Sequence, residues 1–294
     1  MNSRDASDQS TKRTAIVTGA TGGLGLEVAR GFARRGLRTI LAGRNPQKGD
    51  VALANIRASV PDADIRFIRL DLASLATIRD VSAQLAADLP KIDILVNNAG
   101  VMAPSTRLET QDGFELQFGT NHLGHFALTG RLLPLLMHGD GIVVTVASLA
   151  AWKGDLPFDD LNAHARYSPF PRYRQSKLAN LSFAIELDRR SRLHGDRIHA
   201  RAAHPGWSNS DIITNSATLG KGNSLFERIS RDLQKTVGGA VFRALGQDVQ
   251  HGALPLLYAA LSPDALDGGY YGPKGRGERR GPPGAALLPP TAAD

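Results

Sequence analysis

The chain has 294 residues, 42% of them hydrophobic and 21% charged, the balance of a globular protein with one large or two small domains and a sizeable core. It contains no cysteine, which excludes disulfides, thiolate catalysis and Cys-ligated zinc and agrees with a reducing compartment such as the cytoplasm. The formal charge of +7 invites acidic partners, but no aromatic-interleaved basic stripe accompanies it, so nucleic-acid binding is set aside.

Residues 1–13 are polar, lack the apolar stretch of a signal peptide, and read as a disordered tail. From residue 14 strand-like and helix-like segments alternate. The pattern predicts strands at 14–18, 38–42, 65–70, 92–96, 142–147 and 198–204. Between them it predicts helices at 24–35, 46–59 (opened by Pro46), 74–89 (with Ser74 as N-cap), 112–137 and 173–193. The strands are apolar on both faces, the mark of a parallel sheet covered on both sides. Repeated βα units imply a doubly wound, Rossmann-type α/β fold in three α/β/α layers, one domain over 14–272. Lys274, Arg276, Arg279 and Arg280 then crowd into a Gly/Pro-rich tail, 273–294, that reads as disordered. No apolar run reaches the roughly 18 residues that a membrane span needs.

The first strand runs into Thr18-Gly19-Ala20-Thr21-Gly22-Gly23-Leu24-Gly25, and a helix follows. Glycines there allow a tight turn and close approach of backbone amides to a pyrophosphate, and the helix N-terminus adds donors and a positive dipole end. The spacing fits both T-G-x-x-x-G-x-G (Gly19, Gly23, Gly25) and T-G-x-x-G-x-x-G (Gly19, Gly22, Gly25). After the second strand an acidic residue would favour NAD, whereas arginine accommodates the 2′-phosphate of NADP. The sequence there is Gly43-Arg44-Asn45, without a carboxylate, which favours NADP(H) over NAD(H). Further on, Tyr173 and Lys177 are four residues apart and share one helix face. A cation near a phenol lowers its pKa from about 10, which suits proton transfer to a carbonyl.

With Asn97-Asn98-Ala99-Gly100 at the end of the fourth strand, these motifs resemble the short-chain dehydrogenase/reductase family over about residues 14–272. The asparagine motif and the chain length point to its compact branch. The resemblance implies an enzyme interconverting an alcohol and a carbonyl on a hydrophobic small molecule, with hydride carried by NADP(H). It implies that Ser148 holds the substrate oxygen and that Tyr173 gives or takes the proton. Lys177 would hold the nicotinamide ribose and tune Tyr173, and Asn121 would support a water that contacts the lysine. Asp71-Leu72 resembles the adenine-edge position, with helix capping as its alternative. The cofactor would lie along Gly19, Thr21 to Gly25, Arg44, Asn45, Asn98, Ala99 and Gly100. It would end at Pro205, Gly206, Ser208 and Ser210, beside the nicotinamide.

Ser148 and Tyr173 are 25 residues apart, about twice the spacing of the most compact members. The intervening Phe158-Asp159-Asp160-Leu161 and Tyr167-Ser168-Pro169 resemble the retinol dehydrogenase and protochlorophyllide reductase-like subgroup, as does the later Tyr270-Tyr271-Gly272-Pro273. Tyr167 rivals Tyr173, but its i+4 position is Pro171, which argues against helix there. His122 and His125 are given packing or capping roles, and no metal is expected. Residues 216–246 fall where the family places a substrate loop. They read as a lid, as a segment touching a membrane surface, or as ordinary core helices. A non-catalytic nucleotide-binding sensor and a sugar-nucleotide epimerase or dehydratase are the alternative functions, and both monomer and homo-oligomer are open.

Overall fold

The computed structural model describes residues 12–208 and 247–292. The strands are β1 (Thr14–Thr18), β2 (Arg38–Gly43), β3 (Ile65–Arg69), β4 (Ile94–Asn97), β5 (Gly141–Val146), β6 (Ile198–Ala203), β7 (Tyr270–Pro273) and β8 (Pro283–Ala285). They form one sheet in the order β3-β2-β1-β4-β5-β6-β7-β8, parallel from β3 to β7, with β8 antiparallel to β7. The helices are α1 (Gly23–Ala33), α2 (Pro46–Ser59), α3 (Leu75–Asp88), α4 (Gly124–His138), α5 (Pro169–His194) and α6 (Val249–Leu261).

Alternation along each strand sends neighbouring side chains to opposite layers. Ala15 and Val17 join a core that contains Val28 and Phe32 of α1, Ile56 of α2 and Leu256 of α6. Ile16 between them joins the opposite core, with Ile78 and Leu85 of α3 and Leu128 and Leu132 of α4. Leu178 and Leu181 of α5 pack near Ala202 and Tyr270 in a smaller cluster. Burying a side chain of this size contributes about 1.5–3 kcal/mol, which is why nearly uninterrupted apolar strands are found only in a sheet covered on both sides.

Most boundaries agree to within two residues, and three expectations differ by more. The helix expected from 112 starts later, because residues 109–115 form a small antiparallel turn instead. Glu109 bridges Glu115, Thr110 N–H donates to the Phe114 carbonyl (2.9 Å), and the Thr110 hydroxyl accepts from Phe114 N–H (3.2 Å). A π-helical turn, Phe118–Leu123, then leads into α4. In contrast, α5 starts earlier than expected, at Pro169. Both Pro169 and Pro171 fall in its first turn, where backbone N–H groups have no intrahelical acceptor and proline costs little.

The third difference is the Gly/Pro-rich tail. Far from being disordered, residues 273–292 fold back on the sheet. Lys274 N–H donates to the Pro282 carbonyl and Gly275 N–H to the Arg280 carbonyl, both at 2.9 Å, which closes a hairpin between β7 and β8. Ala292 is buried beside α5. The expected loop 216–246, Ser210 and most of the expected N-terminal tail lie outside the described residues. Among the described residues no helix is long and apolar enough to cross a membrane.

Candidate active site

The loops at the carboxyl ends of β1 to β6 enclose a cavity of about 850 Å³. Its floor is the switch point between β1 and β4, where the strand order reverses and open α/β sheets place ligands. Thr18 stitches this floor together. Its hydroxyl oxygen accepts from Asn98 N–H (2.9 Å) and Ala99 N–H (3.0 Å), and its carbonyl accepts from Asn98 Nδ2 (2.7 Å).

Three glycines shape the loop after β1. Gly19 and Gly23 have φ of +66° and +53°, which side chains rarely tolerate. Gly25 has no room: a Cβ there would lie 2.5 Å from both Asn98 Nδ2 and the Gly19 carbonyl. Gly22 is extended, at φ −179°, which any residue adopts. The structure therefore resolves the ambiguous spacing in favour of Gly19, Gly23 and Gly25. α2 and α3 are capped by side chains, Asn45 Oδ1 accepting from Lys48 N–H (2.9 Å) and Ser74 Oγ from Thr77 N–H (3.3 Å). α1 has no such cap and no acid in its first turn, and Gly22, Gly23 and Leu24 line the cavity. Uncapped N–H groups and a positive dipole end fit a pyrophosphate. Thr21, Arg44, Asn45 and Lys48 line the same end, together with Asp71 and Leu72 beyond β3. Asp71 Oδ1 already accepts from Ala73 N–H (3.0 Å), so part of this carboxylate shapes the turn before α3.

At the other end, β5 delivers Ser148 and α5 delivers Tyr173 and Lys177. Ser148 caps a short 3₁₀ turn, Leu149–Lys153, its Oγ accepting from Ala150 N–H (3.1 Å), and it also hydrogen-bonds Tyr173. Burial pushes the Tyr173 phenol up to about 12, against the opposing pull of the Ser148 bond. Lys177 Nζ lies 5.9 Å from the Tyr173 ring centre and donates to the Val146 carbonyl (3.0 Å). Burial pulls this lysine down to about 8. The expected tuning of the phenol by the lysine is therefore outweighed in the protein by desolvation of both groups.

Asn121 lies in the π-helical turn. Its Oδ1 accepts from Val101 N–H (2.8 Å), and its Nδ2 donates to the Val101 carbonyl and the Ser176 hydroxyl, both at 2.9 Å. Its own carbonyl meets His125 Nδ1 (2.8 Å), and His125 Nε2 meets the Thr18 hydroxyl (2.8 Å). Burial pulls His125 down to about 3, so the ring is neutral. Facing a carbonyl, Nδ1 carries the proton and Nε2 accepts from Thr18. His122 packs against Phe118, Phe126 and Phe183 and contacts Asn180. Tyr167 is not among the cavity-lining residues. Its hydroxyl donates to the Pro104 carbonyl (2.7 Å), and burial raises its pKa.

The chain matches the short chain dehydrogenase family over residues 13–219. It belongs to that family. Mouse polyprenol dehydrogenase is 38% identical over 257 residues, which are 86% of this chain and 72% of that protein. Human retinol dehydrogenase 13 is 38% identical over 257 residues, 87% of this chain and 74% of that protein. A crystal structure of an uncharacterised protein from Mycobacterium paratuberculosis superposes with a TM-score of 0.72 at 36% identity, covering 96% of this chain and 87% of that one. L-sorbose reductase from Gluconobacter frateurii, solved with NADPH and L-sorbose, shares the fold at 18% identity (TM-score 0.67, covering 88% and 94%).

As a short-chain dehydrogenase the protein is an oxidoreductase of alcohol and carbonyl groups, in a family that binds NAD(P)(H). The long gap between Ser148 and Tyr173 is fastened to α5. Arg172 donates to Asp160 Oδ2 (3.0 Å) and to the Asp160 carbonyl (2.8 Å), and Gln175 Nε2 donates to the Leu161 carbonyl (2.8 Å). Pro205, Gly206 and Ser208 line the cavity after β6, and the C-terminal hairpin braces this turn. Glu278 Oε2 accepts from His204 Nε2 (3.1 Å), and its Oε1 accepts from Leu287 N–H (2.8 Å). The Arg279 carbonyl accepts from Trp207 N–H (2.8 Å), with its guanidinium 4.4 Å over the Trp207 ring. Trp152, Lys153, Phe170, Arg174 and Trp207 also line the cavity, beyond the residues that the sequence motifs marked for it. A sequence signal exists only for Trp152 and Phe170, aromatic residues at the two margins of the long gap.

Proposed function

We propose that the protein is an NADP(H)-dependent enzyme that interconverts an alcohol and a ketone or aldehyde on a hydrophobic small molecule. One observation carries this reading. A single cavity has Arg44 and Lys48 at one end and Ser148 with the buried Tyr173 and Lys177 at the other. No carboxylate follows β2, and a guanidinium there suits a 2′-phosphate. The apolar lining around Tyr173, including Met102, Leu116, Leu149 and Phe170, suits an apolar substrate. The relatives named for polyprenol and retinol support the same class. The absence of cysteine fits work in the cytoplasm.

When bound, the nicotinamide supplies or accepts the hydride. Ser148 holds the substrate oxygen against Tyr173. With its pKa near 12, Tyr173 carries its proton at neutral pH and is ready as the general acid for reduction. Lys177, fixed on the Val146 carbonyl, presents a positive charge beside the phenol that favours the phenolate left behind. Thr18, Asn98, Asn121 and His125 lock the floor, so these groups need little reorganisation. The reading is tested by following NADPH oxidation with a panel of aldehydes, ketones, retinoids and steroids, in the natural protein and in Arg44→Ala. The variant is expected to raise the KM for NADPH by about tenfold and leave that for NADH nearly unchanged. Equal effects on both cofactors count against the NADP assignment, and binding without any turnover favours a sensor.

A further inference from the structure

We propose that the substrate carries an anionic group, a carboxylate or phosphate, at the end of its apolar body away from the reacting carbonyl, and that Lys153 and Arg174 bind it at the cavity mouth. The proposal rests on the alcohol/carbonyl reading above and names its substrate class.

Both cations line the cavity that holds Tyr173. They stand on the two elements that present the reacting pair: Lys153 ends the 3₁₀ turn that Ser148 caps, and Arg174 follows Tyr173 on α5. These elements are in close apposition, since a Cβ on Gly154 would lie 2.9 Å from the Arg174 carbonyl. The Arg174 guanidinium is 5.7 Å from the centre of the Phe170 ring, which is 6.3 Å from that of Tyr173. The two spans together limit the distance from guanidinium to phenol, and a medium-length alkyl chain covers it.

The dinucleotide does not account for these charges. Its phosphates are matched by the α1 N-terminus and by Arg44, on the far side of the switch point, and Lys177 is tied to Val146. Among the described residues no carboxylate pairs with Lys153 or Arg174 within 4.0 Å. An arginine fork and a lysine that line one cavity suit a carboxylate or phosphate. Because Trp152 (42% exposed) and Phe170 (50%) flank the cations, an anionic lipid surface is the rival occupant.

Binding of monomeric octanoate and of octanol is measured by tryptophan fluorescence on the full chain. Octanoate is expected to bind about tenfold tighter, and the double variant Lys153→Gln/Arg174→Gln to bring the ratio close to one. A thermal melt of the variant checks that it is folded. With NADPH, the kcat/KM ratio of 9-oxononanoate to its methyl ester should fall in the variant through KM rather than kcat. Equal binding of octanoate and octanol, or a preference that survives the double variant, overturns the proposal. Loss of co-sedimentation with phosphatidylglycerol vesicles in the variant, with no octanoate preference to lose, overturns it in favour of the lipid surface. Octanoate preference that the variant abolishes, with neither aldehyde reduced, upholds the anion site and refutes the reaction assigned to it.

Discussion

The glycine-loop end of the cavity is made of backbone and short contiguous segments, whereas the reaction end is made of side chains drawn from distant parts of the chain. At the first end Gly19, Gly23 and Gly25 leave almost no freedom, and Thr18 ties β1 to the Asn98-Ala99 turn through three hydrogen bonds. At the second, His204, Pro205 and Trp207 are held by Glu278, Gln247 and Arg279 in turn, and the loop before Tyr173 hangs on Arg172 and Gln175. The contrast separates a rigid socket for a common ligand from a wall that can be rebuilt around different substrates.

The contrast is sharpest under Tyr173→Phe. Removing the general acid should lower turnover by about a thousandfold while NADPH affinity, read by fluorescence, stays within about twofold. An active variant would place the chemistry on another group. Gly25→Ala should do the reverse. Its methyl group meets the Gly19 carbonyl and Asn98 Nδ2 at 2.5 Å, a clash worth about 1–3 kcal/mol, so the NADPH dissociation constant should rise roughly tenfold to a hundredfold. Unchanged cofactor affinity there would mean that the socket is not rigid. Glu278→Ala removes the acceptor of the buried His204 and of Leu287 N–H. A loss of about 1–3 kcal/mol is expected in chemical denaturation, with a raised KM for the carbonyl substrate and little effect on NADPH. If NADPH affinity fell just as far, the two ends would not be separable.

The smallest effect is one of pH. Burial pulls Lys177 down to about 8, with Tyr173 beside it on α5 and the neutral His125 facing it from α4. Its charge is present below that value and lost as pH rises through it, whereas Tyr173, near 12, keeps its proton. The rate of carbonyl reduction should therefore fall on one limb above about pH 8. In Lys177→Arg any remaining activity should lose that limb, because a guanidinium stays charged. A flat natural profile up to about pH 10 would argue that the lysine charge is not used.

Legibility in the sequence follows local spacing rather than the two ends of the cavity. β1, α2 and the Ser74 cap were readable because local periodicity and one capping residue decide them. The glycine loop, Asn98, Tyr173 and Lys177 were readable because their chemistry needs fixed short spacings. The C-terminal hairpin was not. Its glycines and prolines have the composition of a disordered tail, and long-range contacts give it order, among them pairing with β7 and the Glu278–His204 contact, 74 residues apart in sequence. Arg174 and Lys153 were invisible for a related reason: a surface cation looks alike in any sequence until the fold shows what it borders. Tyr167 had the opposite problem, since a plausible phenol turned out to brace Pro104.

The π-helical turn at Phe118–Leu123 acts as a phase shifter. Gly124 N–H reaches back five residues to the Gly119 carbonyl, which slips one extra residue into the helix. One residue is about 100° of helical rotation. That offset lets Asn121 grip the Val101 backbone while His125, four residues on, still reaches Thr18. Shortening the segment by one residue would bring the helix back into ordinary phase and force a choice between the two grips. The link between the glycine socket and the reaction wall thus depends on a count of residues as well as on the side chains of Asn121 and His125.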